Sequence, residues 1–167
     1  MANGIDALHL LQEAVRPALV NMGPAYATVS AEQIVMGTAA LESRLIWLRQ
    51  HGKGPARGLW QMEPPTFYDL IARCPFSLLA NVLGMSTVKT ATQVYVNEIC
   101  WNLRLGAAMC RLKYRDDPHP LPEPGDVHGM EVIHKRCYNS VLGKTKPGEF
   151  TRAWADLIAP RYNEMWP

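Results

Sequence analysis

Two segments that cannot be helical cut this chain into helical blocks. His51-Gly52-Lys53-Gly54-Pro55-Ala56-Arg57-Gly58 is rich in glycine and contains a proline, which excludes a regular helix. Asp116-Asp117-Pro118-His119-Pro120-Leu121-Pro122-Glu123-Pro124-Gly125 is a rigid, proline-rich surface crossing, too short for a domain linker. Around these segments apolar residues recur at helical spacing, and alternating stretches are few. A mainly α fold is therefore expected.

The blocks follow in order. Ile5 to about Val20 carries Ile5, Leu8, Leu11 and Val15 on one stripe, with Pro17 bending or ending it. Ser30 is expected as an N-cap, with Gln33 as its reciprocal partner. The helix that follows should end near Gln50. Leu59-Trp60-Gln61-Met62 is short enough for a strand or an extended turn, a small β-like element after that helix. Pro64-Pro65 opens a helix over Thr66 to about Arg73. Another runs from Pro75 to Leu83, closed by Gly84. The longest periodic stretch, Thr90 to Tyr114, has Val94, Ile99, Leu103, Leu105, Ala108 and Leu112 apolar and predicts a central core helix. Helices resume over Val127 to Asn139 and Glu149 to Tyr162. The chain has no internal repeats.

With 167 residues, 48% of them hydrophobic and 19% charged, a single domain spanning 1–167 with a sizeable core is expected. No apolar run reaches the roughly 18 residues that cross a bilayer, so no stable membrane insertion is expected. The opening MANGIDALHLLQEAVRP has no basic n-region and no cleavage site, so it does not read as a signal peptide. A net charge of +2 and a pI near 8.4 are too weak to argue for nucleic acid. Cys74, Cys100, Cys110 and Cys137 show no CxxC pair or metal-ligand spacing and are expected as free, buried thiols. The histidines are scattered, with His51 and His128 in glycine-flanked loops. Neither metal nor cofactor is implied.

The block Ile34 to Leu48 is apolar except for a few polar positions, of which Glu42 carries the chemistry. On a helix its neighbours would be Thr38, Ala39, Leu45 and Ile46. A carboxyl on such a face loses hydration, which favours the protonated form. A carboxylic acid kept protonated near neutral pH can serve as a general acid. The plainer alternative is a solvent-reaching glutamate paired with Arg44 or Arg49.

Three pieces stand in order along the chain: Glu42-Ser43 at a helix end, Gly58-Leu59-Trp60-Gln61-Met62-Glu63-Pro64 after the glycine-rich loop, and Cys137-Tyr138-Asn139-Ser140 with Gly143 behind it. The set resembles the goose-type lysozyme and soluble lytic transglycosylase family. That family's pattern is a catalytic Glu-Ser, then Gly-Leu-x-Gln-x-x-Pro, then Ala-Tyr-Asn-Ala-Gly. Here Cys137 and Ser140 stand where the pattern has alanines. The likeness runs from about Ile34 to Gly143 and implies a lysozyme-like, α-rich domain that acts on peptidoglycan glycan strands.

By that resemblance, Glu42 protonates the glycosidic oxygen between N-acetylmuramic acid and N-acetylglucosamine, then acts as base. Cleaving this bond needs an acid and a way to stabilise an oxocarbenium-like state. Ser43 either hydrogen-bonds in the cleft or is an ordinary helix serine. Gly58, beside Leu59, would let backbone approach the sugar. Gln61 offers a donor and an acceptor to an N-acetyl or hydroxyl group. Trp60 and Met62, alternating with it, are expected in the core. Tyr138 either presents its hydroxyl to the Glu42 site or is a buried structural tyrosine. Asn139 either contacts substrate or stabilises the turn after its helix.

Other lysozyme classes place an aspartate shortly after the glutamate, and here that region reads Gln50-His51-Gly52. Without a second acid, the substrate's N-acetyl group can assist and the muramic acid 6-hydroxyl can attack, giving the 1,6-anhydro product of a lytic transglycosylase. Glu63, on the Gln61 face of an extended segment, is the nearest candidate second acid; its alternative is a surface turn residue. Tyr138 to Phe150 also resembles segments of small tailed-phage proteins. That likeness implies an endolysin, or a virion component with other virion proteins as partners. Such a protein is made in the host cytoplasm and acts on the wall or periplasm. Lys144 and Lys146 either contact anionic wall polymer or form a solvated loop. A lysozyme-like structural or wall-binding protein without catalysis is the alternative function.

Overall fold

From Ala31 to Ala40 every residue is buried, so this stretch is surrounded on all sides. It belongs to helix α3 (Val29–Ser43), the element that carries Glu42. A helix apolar around its whole circumference has no solvent face and must run through the interior. The computed structural model describes residues 4–52, 54–83, 96–138 and 145–167. Helix accounts for 65% of the residues and strand for 2%.

The first helical run comprises α1 (Ala7–Leu10), a π turn (Leu11–Val15) and α2 (Arg16–Met22). Pro17 neither bends the run to a halt nor ends it. Its ring nitrogen cannot donate to the Glu13 carbonyl one turn back, and that carbonyl accepts instead from Arg104 Nε at 3.0 Å. The widened π turn sits just before the proline, where such an irregularity is expected. The run ends at Gly23, at φ 112°.

The N-cap of α3 is Thr28, not Ser30. Thr28 is extended and its Oγ1 accepts from Ala31 N at 3.1 Å. Gln33 is therefore not a capping partner. It is fully buried and bridges two distant segments, its Nε2 donating to Tyr162 Oη (3.1 Å) and its Oε1 accepting from Gly125 N (2.8 Å). Glu32 is buried in a similar bridge: Arg16 holds both its oxygens, at 2.7 and 2.8 Å, and Trp166 Nε1 donates to it at 2.8 Å.

Helix α3 stops at Ser43 rather than near Gln50, because Arg44 and Leu45 both adopt left-handed backbone, at φ 55° and 57°. Non-glycine residues there cost roughly 1–2 kcal/mol each. Leu45 is buried, and its carbonyl accepts from Ile5 N at 2.8 Å, which fixes the turn. The extended segment reduces to two isolated antiparallel bridges, Arg49 with Arg57 and Arg57 with Met62. Trp60 and Met62 are in the core, as expected from the sequence. Trp60 Nε1 donates to Val35 O of α3 at 2.9 Å.

Helix α4 (Pro64–Arg73) begins at the first proline, and α5 (Phe76–Leu83) follows; Gly84 lies outside the described residues. The predicted single helix over Thr90 to Tyr114 is a correction. Thr90 and Val94 lie outside the described residues. Val96–Cys100 is 3-10, and α6 (Leu103–Arg115) starts anew at Asn102, whose side chain accepts from Leu105 N at 3.0 Å. Leu105 to Leu112 is buried, so α3 and α6 share the interior. Helix α7 (Val127–Tyr138) precedes α8 (Glu149–Leu157). A 3-10 turn (Ala159–Arg161) with Pro160 inside it separates α8 from α9 (Tyr162–Met165), so Glu149 to Tyr162 is not one helix. The buried residues form one core cluster, as expected for a single domain. All four cysteines are free; Cys100 and Cys110 are buried, whereas Cys74 and Cys137 are only half-buried. Among the described residues no helix is long and apolar enough to cross a membrane.

Candidate active site

Glu42 stands on the last turn of α3, one residue before its end. Its side chain is 24% exposed, and its Oε1 shares a hydrogen bond of 3.1 Å with His134 Nε2. Neither predicted arginine partner takes this carboxylate. Arg44 pairs with Asp156 at 3.0 Å, and Arg49 reaches Asn97 at 3.5 Å. The early end of α3 also removes Leu45 and Ile46 from the helical face beside Glu42.

His134 is held by aromatic packing. It is 2% exposed and stacks on Tyr138, one turn along α7, with ring centres 5.2 Å apart and an interplanar angle of 17°. Phe150 of α8 lies 5.5 Å away. Helix α8 comes this close because Gly37 of α3 carries no side chain: a Cβ there would lie 2.4 Å from Phe150 Cζ. Below Tyr138 is Tyr114, at 5.4 Å. Thr38, one turn before Glu42, donates to Ile34 O at 2.7 Å and contacts Tyr114 Oη at 2.6 Å. The single hydroxyl proton of Thr38 is thereby used, so Tyr114 is the donor to Thr38. The floor under Glu42 is thus a stack of rings in which the Tyr114 hydroxyl is satisfied by α3.

Lys113 of α6 completes the surroundings. Its Nζ lies 4.3 Å from the Tyr138 ring centre, a cation–π contact. Burial pushes the Lys113 amine down, opposed by the nearby Cys110, Glu42, Cys137 and Glu63. The ammonium therefore senses both Glu42 and Glu63. A cavity of about 150 Å³ lies over His134, lined also by His128, Val132, Lys146 and Phe150. Another, of about 440 Å³, takes Lys113 into its wall.

The remaining predicted residues divide sharply. Ser43 is fully buried and donates to Ala39 O at 3.0 Å, so it is an ordinary helix serine and reaches no cleft. Gly58 is buried at φ 72°, and a Cβ there would lie 2.7 Å from Ile99 O. Its glycine is required by the turn and by α6's lead-in, not by a sugar. Leu59 is core. Gln61 adopts φ 43° and spends both amide protons locally, on Gly58 O (2.8 Å) and Trp47 O (3.2 Å), which leaves its Oε1 as the end open to a ligand. Glu63 is exposed ahead of α4 and makes no side-chain capping bond, the surface position that was its alternative.

Tyr138 contributes its ring rather than its hydroxyl. The hydroxyl is buried, has no hydrogen-bond partner among the described residues, and faces the Cys110 thiol; burial raises it well above the usual tyrosine range. Glu42 is bonded by His134, not by Tyr138. Asn139, Ser140, Gly143 and Lys144 lie outside the described residues. Sequence reasoning missed His134 and Lys113. For His134 the available signal was its four-residue spacing before Tyr138, which places both on one helix face. Compared with protein-family models, curated proteins and solved structures, the chain matches none.

Proposed function

We propose that the protein cleaves the β-1,4 bond between N-acetylmuramic acid and N-acetylglucosamine in peptidoglycan, with Glu42 as general acid and base. The observation that carries this reading is the Glu42–His134 bond: a partly open carboxyl at the end of a buried helix, held by a histidine that aromatic rings fix in place. Its order with the Gly58-to-Pro64 and Tyr138 segments supports it further. Glu42 gives its proton to the glycosidic oxygen as the bond to C1 breaks. The muramic acid 6-hydroxyl then attacks C1 and returns its proton to the Glu42 carboxylate, forming the 1,6-anhydro sugar with no water consumed. His134 keeps the carboxyl oriented through both steps, since a hydrogen bond to the ionised form favours it once the proton has left. Hydrolysis would instead need a group to direct water. Glu63 is the next acid along the chain for that role, but it stands exposed ahead of α4, which favours the transglycosylase route. An endolysin or a virion-carried wall enzyme suits this activity.

The second reading is a wall-binding protein of the same architecture without catalysis. It is favoured by Ser43, Gly58 and Leu59, which serve structure rather than a cleft. Mass spectrometry of muropeptides released by the pure protein separates the readings. Anhydro-muramyl products identify a lytic transglycosylase, and products heavier by one water a lysozyme. Glu42→Gln keeps the shape and removes the proton donor, so release should stop while binding to wall sacculi continues. Full release by that variant would sink the role given to Glu42.

A further inference from the structure

Arg111 of α6 is only 9% exposed. Its Nε is buried without a hydrogen-bond partner, and among the described residues no salt bridge holds its guanidinium. Arg115, one turn on, shares its platform. The two Cζ atoms lie 5.5 and 5.4 Å from the ring centre of Tyr26, in the loop between α2 and α3. The groups that act on Arg111 are the Cys110 thiol, the Tyr26 phenol and Arg115, and none is a carboxylate. Burial disfavours its charged form, and Arg115 adds to that. A guanidinium nevertheless keeps its proton, so the cost of enclosing the charge remains.

The carboxylates beside Arg115 are spent on another arginine. Arg115 lines a cavity of about 330 Å³ with Arg73 and Asp116. Arg73 takes Asp116 at 2.8 Å and Asp69 at 2.6 Å. Those two carboxylates, set against Arg73, Arg111 and Arg115, leave one positive charge over. The hydrogen-bonding capacity has the same bias. Tyr26 Oη accepts from Arg115 Nη1, and its own proton has no acceptor among the described residues. The cluster thus offers two guanidinium forks and a hydroxyl, all donors. One fork already fills the two oxygens of a carboxylate, whereas a phosphate group has oxygens for both forks and the hydroxyl. We propose that Arg111, Arg115 and Tyr26 form a phosphate-binding site, and that the bound group ties the α2–α3 loop to α6. The site stands apart from the cleavage reading and does not depend on it.

The test is calorimetric titration of the full chain, at constant ionic strength, with inorganic phosphate and with glycerophosphoglycerol, a phosphodiester. Saturable binding at one site is expected. Arg115→Met, at an exposed position that should not disturb folding, should weaken it about tenfold or more, the scale of one charge-assisted contact. Arg111→Met should do the same. Tyr26→Phe keeps the ring and should cost about fivefold, the scale of one neutral hydrogen bond. Arg152→Met, on the exposed side of α8, should leave binding unchanged. Binding of inorganic phosphate alone assigns the site to a free ion or monoester, and binding of both ligands extends it to phosphate within a polymer. Absence of saturable binding by either ligand, or binding that survives Arg115→Met undiminished, overturns the inference and leaves the cleavage reading standing.

Discussion

Glu42 Oε1 and His134 Nε2 meet at 3.1 Å across 92 positions of sequence. Each is useful only because of the other's helix. Helix α3 brings a carboxyl to the rim of the core, and α7 brings a ring that packing prevents from turning away. Replacing His134 by Phe keeps the stacking and deletes the nitrogen. The expected result is a fall in kcat of about tenfold or more, the scale of one lost hydrogen bond to a reacting group, with KM nearly unchanged. Steady-state kinetics on purified peptidoglycan would check it, and a rise in KM alone would show that His134 acts in binding instead.

Gly37 sets the distance between α3 and α8. Ala at this position would place a methyl 2.4 Å from the Phe150 ring, and a ring in a packed core cannot swing aside. Overpacking of this kind costs about 1–3 kcal/mol. Chemical denaturation of Gly37→Ala should show that loss, and Phe150→Leu in the same protein should recover part of it.

Arg136 holds the Asp117 carboxyl well below the usual carboxylate range. The unfolded carboxyl titrates near its ordinary 3.8, so the folded state binds the proton less readily than the unfolded one. The contribution is complete above that value and is lost as pH falls below it. Melting temperatures between pH 5 and pH 2.5 should therefore decline more steeply for the native protein than for Asp117→Asn. Parallel curves would show that the bridge contributes nothing to stability.

Burial pushes the Cys110 thiol up to about 12, and burial together with the Asp117 carboxylate does the same for Cys137. Only the thiolate reacts readily. At pH 8 both should alkylate far more slowly with iodoacetamide than the same residues in guanidinium, by orders of magnitude at Cys110. Peptide mapping would read each site, and rapid labelling of Cys110 in the native state would contradict the burial described above.

The helical character, both proline- and glycine-rich breaks, and the core positions of Trp60 and Met62 were legible because they rest on local composition and period. The end of α3 was not. Arg44 and Leu45 enter the left-handed region without a glycine to announce it, held there by a contact with Ile5 from the far N-terminus. Ser30 is the better cap by residue type, yet Thr28 has the extended backbone and takes the role. The break at Asn102 was hidden by continuous apolar spacing, although asparagine is a residue that caps. Glu42 was legible as the lone acid of an apolar block. His134 and Lys113 were not, because what makes them notable is a contact with another helix, Glu42 for the one and the Tyr138 ring for the other.

Trp60 is fastened on two sides. Its indole N–H bonds Val35 O at 2.9 Å, and its ring fills the space that Gly106 of α6 leaves open. Trp60 thereby ties the segment after Glu42 to both interior helices, and Gln61 follows it by one residue. On the proposed activity, a glycan strand docking here would meet a template shaped in advance. Little ordering entropy would then be lost on this side, because Gln61 is already held by its bonds to Gly58 O and Trp47 O.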